Sequence, residues 1–238
     1  MKAPARPPSP PLLPEVTANF ALTWDARVST RAHTPANFTS PRDKSRLLEI
    51  RATGDAVMVG RGTVETDRMR MGLPDETLRR ERLARGQSEC PLRVVIGGPL
   101  PHDHPIFACR DAPLHFFSRS PFPEAETAFL ASVGAQAHLL TGLPQVLETL
   151  ATRHGVRRVV CEGGPTLLRS LLEADCVNEI HLTWAPVLFG GLGALTLTGP
   201  AGAFLPEDRR FRLEAMERTG DECYTRYRLR GRRRPSPR

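Results

Sequence analysis

A chain of 238 residues, 40% of them apolar, can bury a full hydrophobic core, which excludes a wholly disordered protein. No apolar run is long enough for a transmembrane helix, and no apolar stretch follows the basic N-terminal residues, so we expect neither a membrane span nor a signal peptide. The five cysteines lie far apart without a Cys-x-x-Cys pair. That spacing argues against a disulfide framework or a cysteine-based zinc site and predicts a cytoplasmic protein.

The formal net charge of +7 comes from the two ends of the chain. Residues 1–14 and 228–238 hold eight of the 33 basic residues and no acidic one, which leaves 25 basic against 26 acidic residues between them. Six prolines in residues 1–14 predict a disordered lead-in, and residues 231–238 read as a loose basic tail, so residues 15–230 form one predicted domain. Basic ends of this kind bind polyanions without sequence preference, so no specific nucleic-acid partner is expected.

The body alternates apolar runs of strand length with helical periodicity. Predicted strands cover residues 16–24, 55–60, 92–96, 114–117, 156–161 and 179–188, the last of them broken by Pro186. Predicted helices cover residues 40–53, 145–154 and 166–173. Ser40 is the predicted N-cap of the first helix, and residues 75–85 predict a charged amphipathic helix with a solvated face. Two last strands, at residues 211–216 and 223–229, have no helix between them. The order predicts a three-layer α/β fold with a mostly parallel central sheet and antiparallel edge strands at the C-terminal end.

Two strand-to-helix junctions are rich in glycine. Residues 60–63 read GRGT and residues 162–166 read EGGPT. Backbone amides at a helix start suit phosphate, glycine lets the backbone approach a ligand, and ligands of open α/β sheets bind at the carboxyl ends of strands. Each junction by itself is equally consistent with a plain turn, because neither matches a dinucleotide fingerprint or a P-loop.

Two carboxylates end apolar strands at the same expected edge of the sheet. Glu162 is placed either to accept hydrogen bonds from a substrate or to serve as an ordinary carboxylate at a helix N-terminus. Asp25 ends the first strand, where a turn aspartate is the plainer interpretation. The triplet His102-Asp103-His104 lies among prolines and indicates a solvated loop, so we predict no metal site.

Several segments match one known pattern in order along the chain. A strand N-x-A-x-S-x-D-G-K corresponds to residues 19–27 (NFALTWDAR), and D-A-x-x-V-G with G-T-V-x-x-D corresponds to residues 55–60 and 62–67. A P-x-R-V-V strand corresponds to residues 91–95, E-G-G-P-T-L to residues 162–167, and A-P-x-L-x-G-G to residues 185–191. The chain thus resembles the reductase domain of riboflavin biosynthesis, the C-terminal half of the bifunctional deaminase/reductase, over residues 16 to about 229.

The resemblance implies a dihydrofolate-reductase-like fold, a homodimer and NADPH as cofactor. The implied reaction is hydride transfer to the ribosyl carbonyl or imine carbon of 5-amino-6-(5-phosphoribosylamino)uracil. The implied cofactor-side residues are Ala21, Thr63, Asp67, Gly98, Gly163, Gly164, Pro165 and Thr166. The implied substrate-side residues are Asp25, Arg51 and Glu162, of which Asp25 and Glu162 are the expected catalytic pair.

The chain departs from the family pattern after Asp67. The usual D-N-P-x-L reads DRMRM at residues 67–71, and Pro74 stands where the family has an arginine. The deaminase motifs are missing as well, so we expect a stand-alone reductase, with another small carbonyl or imine substrate as an alternative. A second alternative is a non-catalytic protein whose basic ends bind polyanions. Arg61, between two glycines, is a candidate contact for the cofactor's 2′-phosphate, with an exposed arginine as the plainer interpretation.

Overall fold

The structure is a computed structural model that describes residues 13–30, 38–191, 193–199 and 204–230. The predicted disordered lead-in, apart from its last two residues, and the predicted basic tail at 231–238 lie outside the described residues. Within the described part of the chain, no helix is both long and apolar enough to cross a membrane.

The described strands form a single sheet of nine. They are β1 (Glu15–Thr23), β2 (Ala56–Gly60), β3 (Leu92–Ile96), β4 (Leu114–Ser118), β5 (Ala135–Leu139), β6 (Arg158–Cys161), β7 (Glu179–Ala185), β8 (Phe211–Thr219) and β9 (Glu222–Leu229). Their order is β5-β4-β3-β2-β6-β1-β7-β9-β8. The strands from β5 to β7 are parallel, and β9 pairs antiparallel with both β7 and β8. The predicted mostly parallel sheet with antiparallel strands at its C-terminal edge is confirmed.

Helices cover both faces of this sheet. In the described residues they are α1 (Pro41–Arg51), α2 (Arg61–Thr66), α3 (Glu76–Ala84), α4 (Glu124–Ser132), α5 (Leu143–His154) and α6 (Pro165–Glu173). The apolar sides of α5 and α6 pack on one face, and α2 and α4 pack on the other. Strand β2 lies between these layers and buries Val57, Met58 and Val59 completely, which explains its uninterrupted apolar sequence.

The sequence patterns predicted the first residues of most helices and strands to within about two residues. The Ser40 side chain accepts a hydrogen bond from the Asp43 amide, and Pro41 opens α1, as predicted. Strand β7 ends at Ala185, directly before Pro186. Helix α4 and strand β5 were not predicted. Strand β5 is an edge strand with one neighbour and alternates polar with apolar residues, so it lacks the apolar run that marks the central strands.

Two side chains in segments predicted to face solvent are buried. Most of α3, the amphipathic helix predicted at residues 75–85, is exposed as expected, but its Arg82 is completely buried and donates hydrogen bonds to the main-chain oxygens of Ala52, Gly54 and Ser88. His104, expected in a solvated loop, is buried, and its Nε2 lies 3.1 Å from the Val64 oxygen. Both side chains satisfy main-chain groups at the ends of elements, a long-range need that sequence periodicity does not report.

Candidate functional site

A cavity lies where two neighbouring strands are followed by helices on opposite faces of the sheet. Strand β1 leads into α1 on one face, while β6, hydrogen-bonded beside β1, leads into α6 on the other. Such a divergence leaves a crevice at the carboxyl ends of the strands. The crevice encloses about 440 Å³ and is lined by the ends of β1 and β2, the first turns of α2 and α6, and one side of α1.

The two glycine junctions pack against each other at the floor of this cavity. The Gly60 amide donates a 2.9 Å hydrogen bond to the Gly163 oxygen. A Cβ atom on Gly164 would lie 2.6 Å from Thr63 Oγ1, and Gly163 has a φ of +140°, so both positions require glycine. The junction at residues 60–63 therefore packs closely against the junction at residues 162–166 only because Gly163 and Gly164 have no side chains.

Helix α6 presents an uncapped N-terminus to the cavity. Its N-cap, Gly164, offers no side-chain hydrogen bond, and Pro165 occupies the first helical position. Thr166 and Leu167 of the first turn line the cavity wall. The free amides and the helix dipole make this turn suitable for an anionic group.

Eight of the eleven predicted site residues line the cavity. They are Ala21, Thr63, Asp67, Glu162, Gly163, Gly164, Pro165 and Thr166. The structure leaves Asp25, Arg51 and Gly98 outside the wall. Sequence reasoning missed several wall residues, among them Asn19 and Asp43. Asp43 lies in the first turn of α1, where an acidic residue is common for reasons of helix stability and carries no signal of a cavity.

Arg51 and Glu162 form a buried, bidentate ion pair. Arg51 Nε lies 2.7 Å from Glu162 Oε1, and Nη2 lies 2.6 Å from Oε2. The Glu162 side chain is 0% exposed, so the part of this residue that reaches the cavity is its main chain. Burial opposes the charge of Arg51, but the facing carboxylate outweighs it and raises the pKa of the guanidinium. Two of the three predicted substrate-side residues are thus brought together, with each side chain engaged by the other.

Asp25 holds a turn beside the cavity. Its carboxylate accepts hydrogen bonds from the Thr23 hydroxyl at 2.6 Å and from the amides of Phe189 and Gly190 at 3.3 and 2.7 Å. The Thr23 hydrogen bond is the largest influence on the Asp25 carboxyl, which has its pKa lowered to about 2. The plainer interpretation, a turn aspartate, fits this geometry.

Two other carboxylates face the cavity and differ in their partners. Asp43 accepts a 2.6 Å hydrogen bond from the Thr183 hydroxyl. The Asp67 side chain forms no hydrogen bond or ion pair with any residue that the structure describes. Asp67 is an exposed residue, and partial desolvation by the surrounding protein raises the pKa of its carboxyl. Of these two carboxylates, Asp67 is therefore the one that no described residue engages.

The remaining predicted residues lie along the same edge of the sheet. Gly98 follows β3, two strands away from β6. Arg61 opens α2, donates from Nε to the Pro99 oxygen at 2.8 Å and pairs with Glu65 at 2.9 Å. Its side chain remains 40% exposed. Neither Gly98 nor Arg61 lines the cavity, and the charge of Arg61 is paired with Glu65.

Comparison with known proteins identifies the family. The model of the RibD C-terminal domain matches residues 14–224. The chain belongs to the RibD C-terminal domain family. This confirms the family inferred from the sequence motifs.

Relatives in this family are named as reductases. The chain is 32% identical over 212 residues to the 2,5-diamino-6-ribosylamino-4(3H)-pyrimidinone 5′-phosphate reductase of Archaeoglobus fulgidus, covering 87% of this chain and 94% of the relative. It is 31% identical to the protein of that name from Methanothermobacter thermautotrophicus, covering 92% and 99%. A crystal structure of a pyrimidine reductase-like protein from Corynebacterium diphtheriae superposes with a TM-score of 0.78 at 17% identity, covering 92% of this chain and 93% of that one, which shows a shared fold. The RibD reductase domain has the dihydrofolate-reductase-like fold predicted from the motifs.

Proposed function

We propose that this RibD-family chain is an NADPH-dependent reductase of riboflavin biosynthesis that acts on a phosphoribosylamino-pyrimidine. The observation that carries the proposal is the convergence, in one cavity, of the uncapped α6 N-terminus, the glycine floor and the Asp67 carboxylate, which has no partner among the described residues. These are the features that an anionic cofactor and a proton-requiring reduction need together.

The residues of the site fit a nicotinamide dinucleotide. A cavity of about 440 Å³ lies within the usual range for ligand pockets. The first turn of α6, with Gly164 and Thr166, would hold a phosphate through main-chain amides. The edge that carries Gly98 and Arg61 would hold the far end of an extended dinucleotide, where a 2′-phosphate would compete with Glu65 for Arg61.

The residues of the chain supply position and a proton. A nicotinamide cofactor, when bound, supplies the hydride. Reduction of a carbonyl or imine also requires a proton at the heteroatom, and a carboxyl with a raised pKa can hold one. Asp67 meets this requirement, whereas Asp43 accepts from Thr183 and Glu162 is neutralised by Arg51. We therefore assign proton donation to Asp67 rather than to the predicted catalytic pair of Asp25 and Glu162.

Two phosphoribosylamino-pyrimidines are candidates for the substrate. The sequence motifs led us to 5-amino-6-(5-phosphoribosylamino)uracil. The two relatives that the chain matches over 94% and 99% of their length are named for 2,5-diamino-6-ribosylamino-4(3H)-pyrimidinone 5′-phosphate instead. That match in length and identity makes the diamino compound the second candidate. The two compounds share the ribosyl carbon that is reduced, so the same site could act on either.

The test is an assay of the purified chain with both compounds. NADPH and NADH are supplied in turn, loss of the reduced nicotinamide absorbance is followed, and the ribityl product is identified by mass spectrometry. We expect turnover with NADPH and at least one of the two pyrimidines. Absence of turnover with both compounds and both cofactors would refute the proposal and favour another carbonyl or imine substrate.

We also propose a cytoplasmic homodimer whose reductase domain spans residues 15–230. The five cysteines are free thiols, as a reducing compartment would keep them. Leu213 and Met216 of the edge strand β8 are exposed apolar side chains that a second copy of the chain would cover. Light scattering of the wild type and of Met216→Lys tests the dimer. A monomeric wild type would refute it.

A further inference from the structure

One side of the cavity is formed by α1 and by the face of β1 that α1 covers. Alternate residues of β1 pack with α5 and α6, so Asn19 and Ala21 face the opposite way, towards α1. Both residues line the cavity, together with Asp43 of α1. Ala21 lies beside Thr183 of β7, whose hydroxyl donates to Asp43. Asn19 and Asp43 therefore share one side of the cavity, which we call the α1 side.

The Asn19 amide is an unpartnered polar group in a nearly closed position. Asn19 is 9% exposed, and its side chain forms no hydrogen bond with any residue that the structure describes. A primary amide carries two donors and an acceptor, and leaving such groups unpaired at this depth costs free energy. Because Asn19 lines the cavity, a ligand bound there would supply the missing partner.

Asp43 presents an open carboxylate oxygen to the same space. Its Oδ1 accepts a 2.6 Å hydrogen bond from Thr183 Oγ1, and no residue in the described part of the chain bonds to Oδ2. A carboxylate is an acceptor only and has about four acceptor positions, so most of its capacity remains free. Asp43 is half-buried in the first turn of α1, where the helix dipole favours a negative charge.

The position of Asp43 is fixed by the end of the chain. Glu222, at the start of β9, accepts hydrogen bonds from the amide and the hydroxyl of Ser40, each at 2.6 Å, and from the Tyr224 hydroxyl at 2.7 Å. The Ser40 hydroxyl in turn accepts from the Asp43 amide at 3.3 Å. Glu222 is buried, so this clamp is shielded from water. A carboxylate held in place in this way loses little freedom when a ligand binds.

Apolar side chains complete the α1 side. Leu47, one turn after Asp43 on α1, and Phe38, just before the helix, also line the cavity. The Phe38 ring packs edge-on against Phe189, with 5.3 Å between the ring centroids. An apolar surface beside a few convergent polar groups is a typical environment for a planar heterocycle.

The two candidate pyrimidines differ at the edge that a carboxylate recognises. In the diamino compound, an amino group at C2 lies beside the ring N3–H, so this edge offers two parallel N–H donors. In the uracil compound, C2 carries an oxygen, which is an acceptor and repels a carboxylate. A carboxylate pairs with two parallel donors through both of its oxygens, whereas an amide can turn to meet a donor or an acceptor.

We infer that Asp43 is the specificity-determining residue for the base, pairing with the 2-amino group and N3–H of the diamino compound, while Asn19 binds the ring of either base. The inference rests on the proposed function and names its preferred substrate, the diamino compound. It follows from the acceptor-only chemistry of Asp43 and the unpartnered amide of Asn19 on the same side of the cavity.

The test measures base binding without requiring turnover. The probes are two free bases, 2,5,6-triaminopyrimidin-4-one and 5,6-diaminouracil, titrated calorimetrically into the full chain with and without NADPH. The variants are Asp43→Asn, which keeps the shape of the side chain, and Asn19→Ala. Glu49→Gln is the matched control, because Glu49 is an exposed acidic residue of the same helix that pairs with Arg42 and does not line the cavity.

We expect the wild type to bind the triamino base about 10- to 100-fold more tightly than diaminouracil, as hydrogen bonds to a charged group would give. This preference tests the inference even if a variant does not fold. Asp43→Asn should lower the ratio by about tenfold or more, and Glu49→Gln should keep it. Asn19→Ala should weaken both bases by a similar factor, about three- to tenfold. The affinity for NADPH should be the same in the wild type and in Asp43→Asn.

Several results would overturn the inference. They are a wild type that binds neither base or binds both equally, and an unchanged ratio in Asp43→Asn. A loss of NADPH affinity in Asp43→Asn with the base preference intact would also overturn it, because Asp43 would then contact the cofactor. Unchanged affinities in Asn19→Ala would overturn the part assigned to Asn19.

Failure of the proposed function would look different. The free bases would show the expected preference, and Asp43→Asn would abolish it, but neither phosphoribosylamino compound would be turned over with NADPH or NADH. Conversely, turnover of both compounds with equal kcat/KM, in the wild type and in Asp43→Asn alike, would refute the selection by Asp43 and leave the proposed function standing.

Discussion

Acid should destabilise this protein through a histidine cluster remote from the cavity. His115 on β4 lies with its Nδ1 2.9 Å from His138 Nε2 on β5, and the ring of His154, at the end of α5, meets it edge-on at 4.6 Å. His115 is 1% exposed. Burial is the main cause that lowers the pKa of His115 to about 4, and the neighbouring His154 and His138 lower it further. Burial also lowers the pKa of His138, with smaller contributions from His154 and Arg153.

The sign and size of the effect follow from the difference between the folded and unfolded states. The unfolded chain binds the proton near pH 6.5 and the folded chain only near pH 4, so protonation favours unfolding. The contribution is fully present above pH 6.5 and is lost as the pH falls towards 4. At 1.36 kcal/mol per pH unit, the loss attributable to His115 is about 3 kcal/mol.

The assay is urea unfolding across this pH range for the wild type and for His115→Gln. The glutamine amide can still bond to His138 but does not titrate. We expect the free energy of unfolding of the variant to fall less steeply, so that the two curves converge by about 3 kcal/mol between pH 6.5 and 4. Parallel curves for His115→Gln and the wild type would refute the reasoning.

Three further predictions concern the cavity. NADPH at 100 times its Kd should raise the free energy of unfolding by about 2.7 kcal/mol, seen as a higher Tm, and removal of residues 231–238 should leave that rise intact. In Asp67→Asn, kcat should fall by about 100- to 10,000-fold, and the Kd of the cofactor should be unchanged. The wild-type rate should fall as the pH rises through the raised pKa of Asp67, because the carboxyl loses its proton, and the rate of the variant should lose that pH dependence. Arg61→Ala should weaken NADPH about tenfold but not NADH, while Arg80→Ala, in an exposed pair on α3, should change neither affinity.

Local sequence patterns were sufficient where the physical cause is local. The N-cap at Ser40 and the proline directly after β7 act within a few residues of themselves, so they could be recognised directly. The uninterrupted apolar run of β2 reports burial on both faces, which led to the parallel sheet. The paired glycines at 163 and 164 marked the floor of the cavity, although only the packing against Thr63 explains why glycine is required there.

The sequence by itself determined the α/β fold, the family and the edge of the sheet that carries the site. It could not decide what each carboxylate does, because Asp25, Asp67 and Glu162 all occupy similar positions at the ends of strands or helices. Arg51, separated from Glu162 by 111 positions in the chain, forms an ion pair with Glu162. The amides of Phe189 and Gly190 donate hydrogen bonds to Asp25. Asp67 alone of the three is left without a partner among the described residues. The protonation and hydrogen bonding of a carboxyl depend on which distant groups the fold brings to it, and only the tertiary structure decides that.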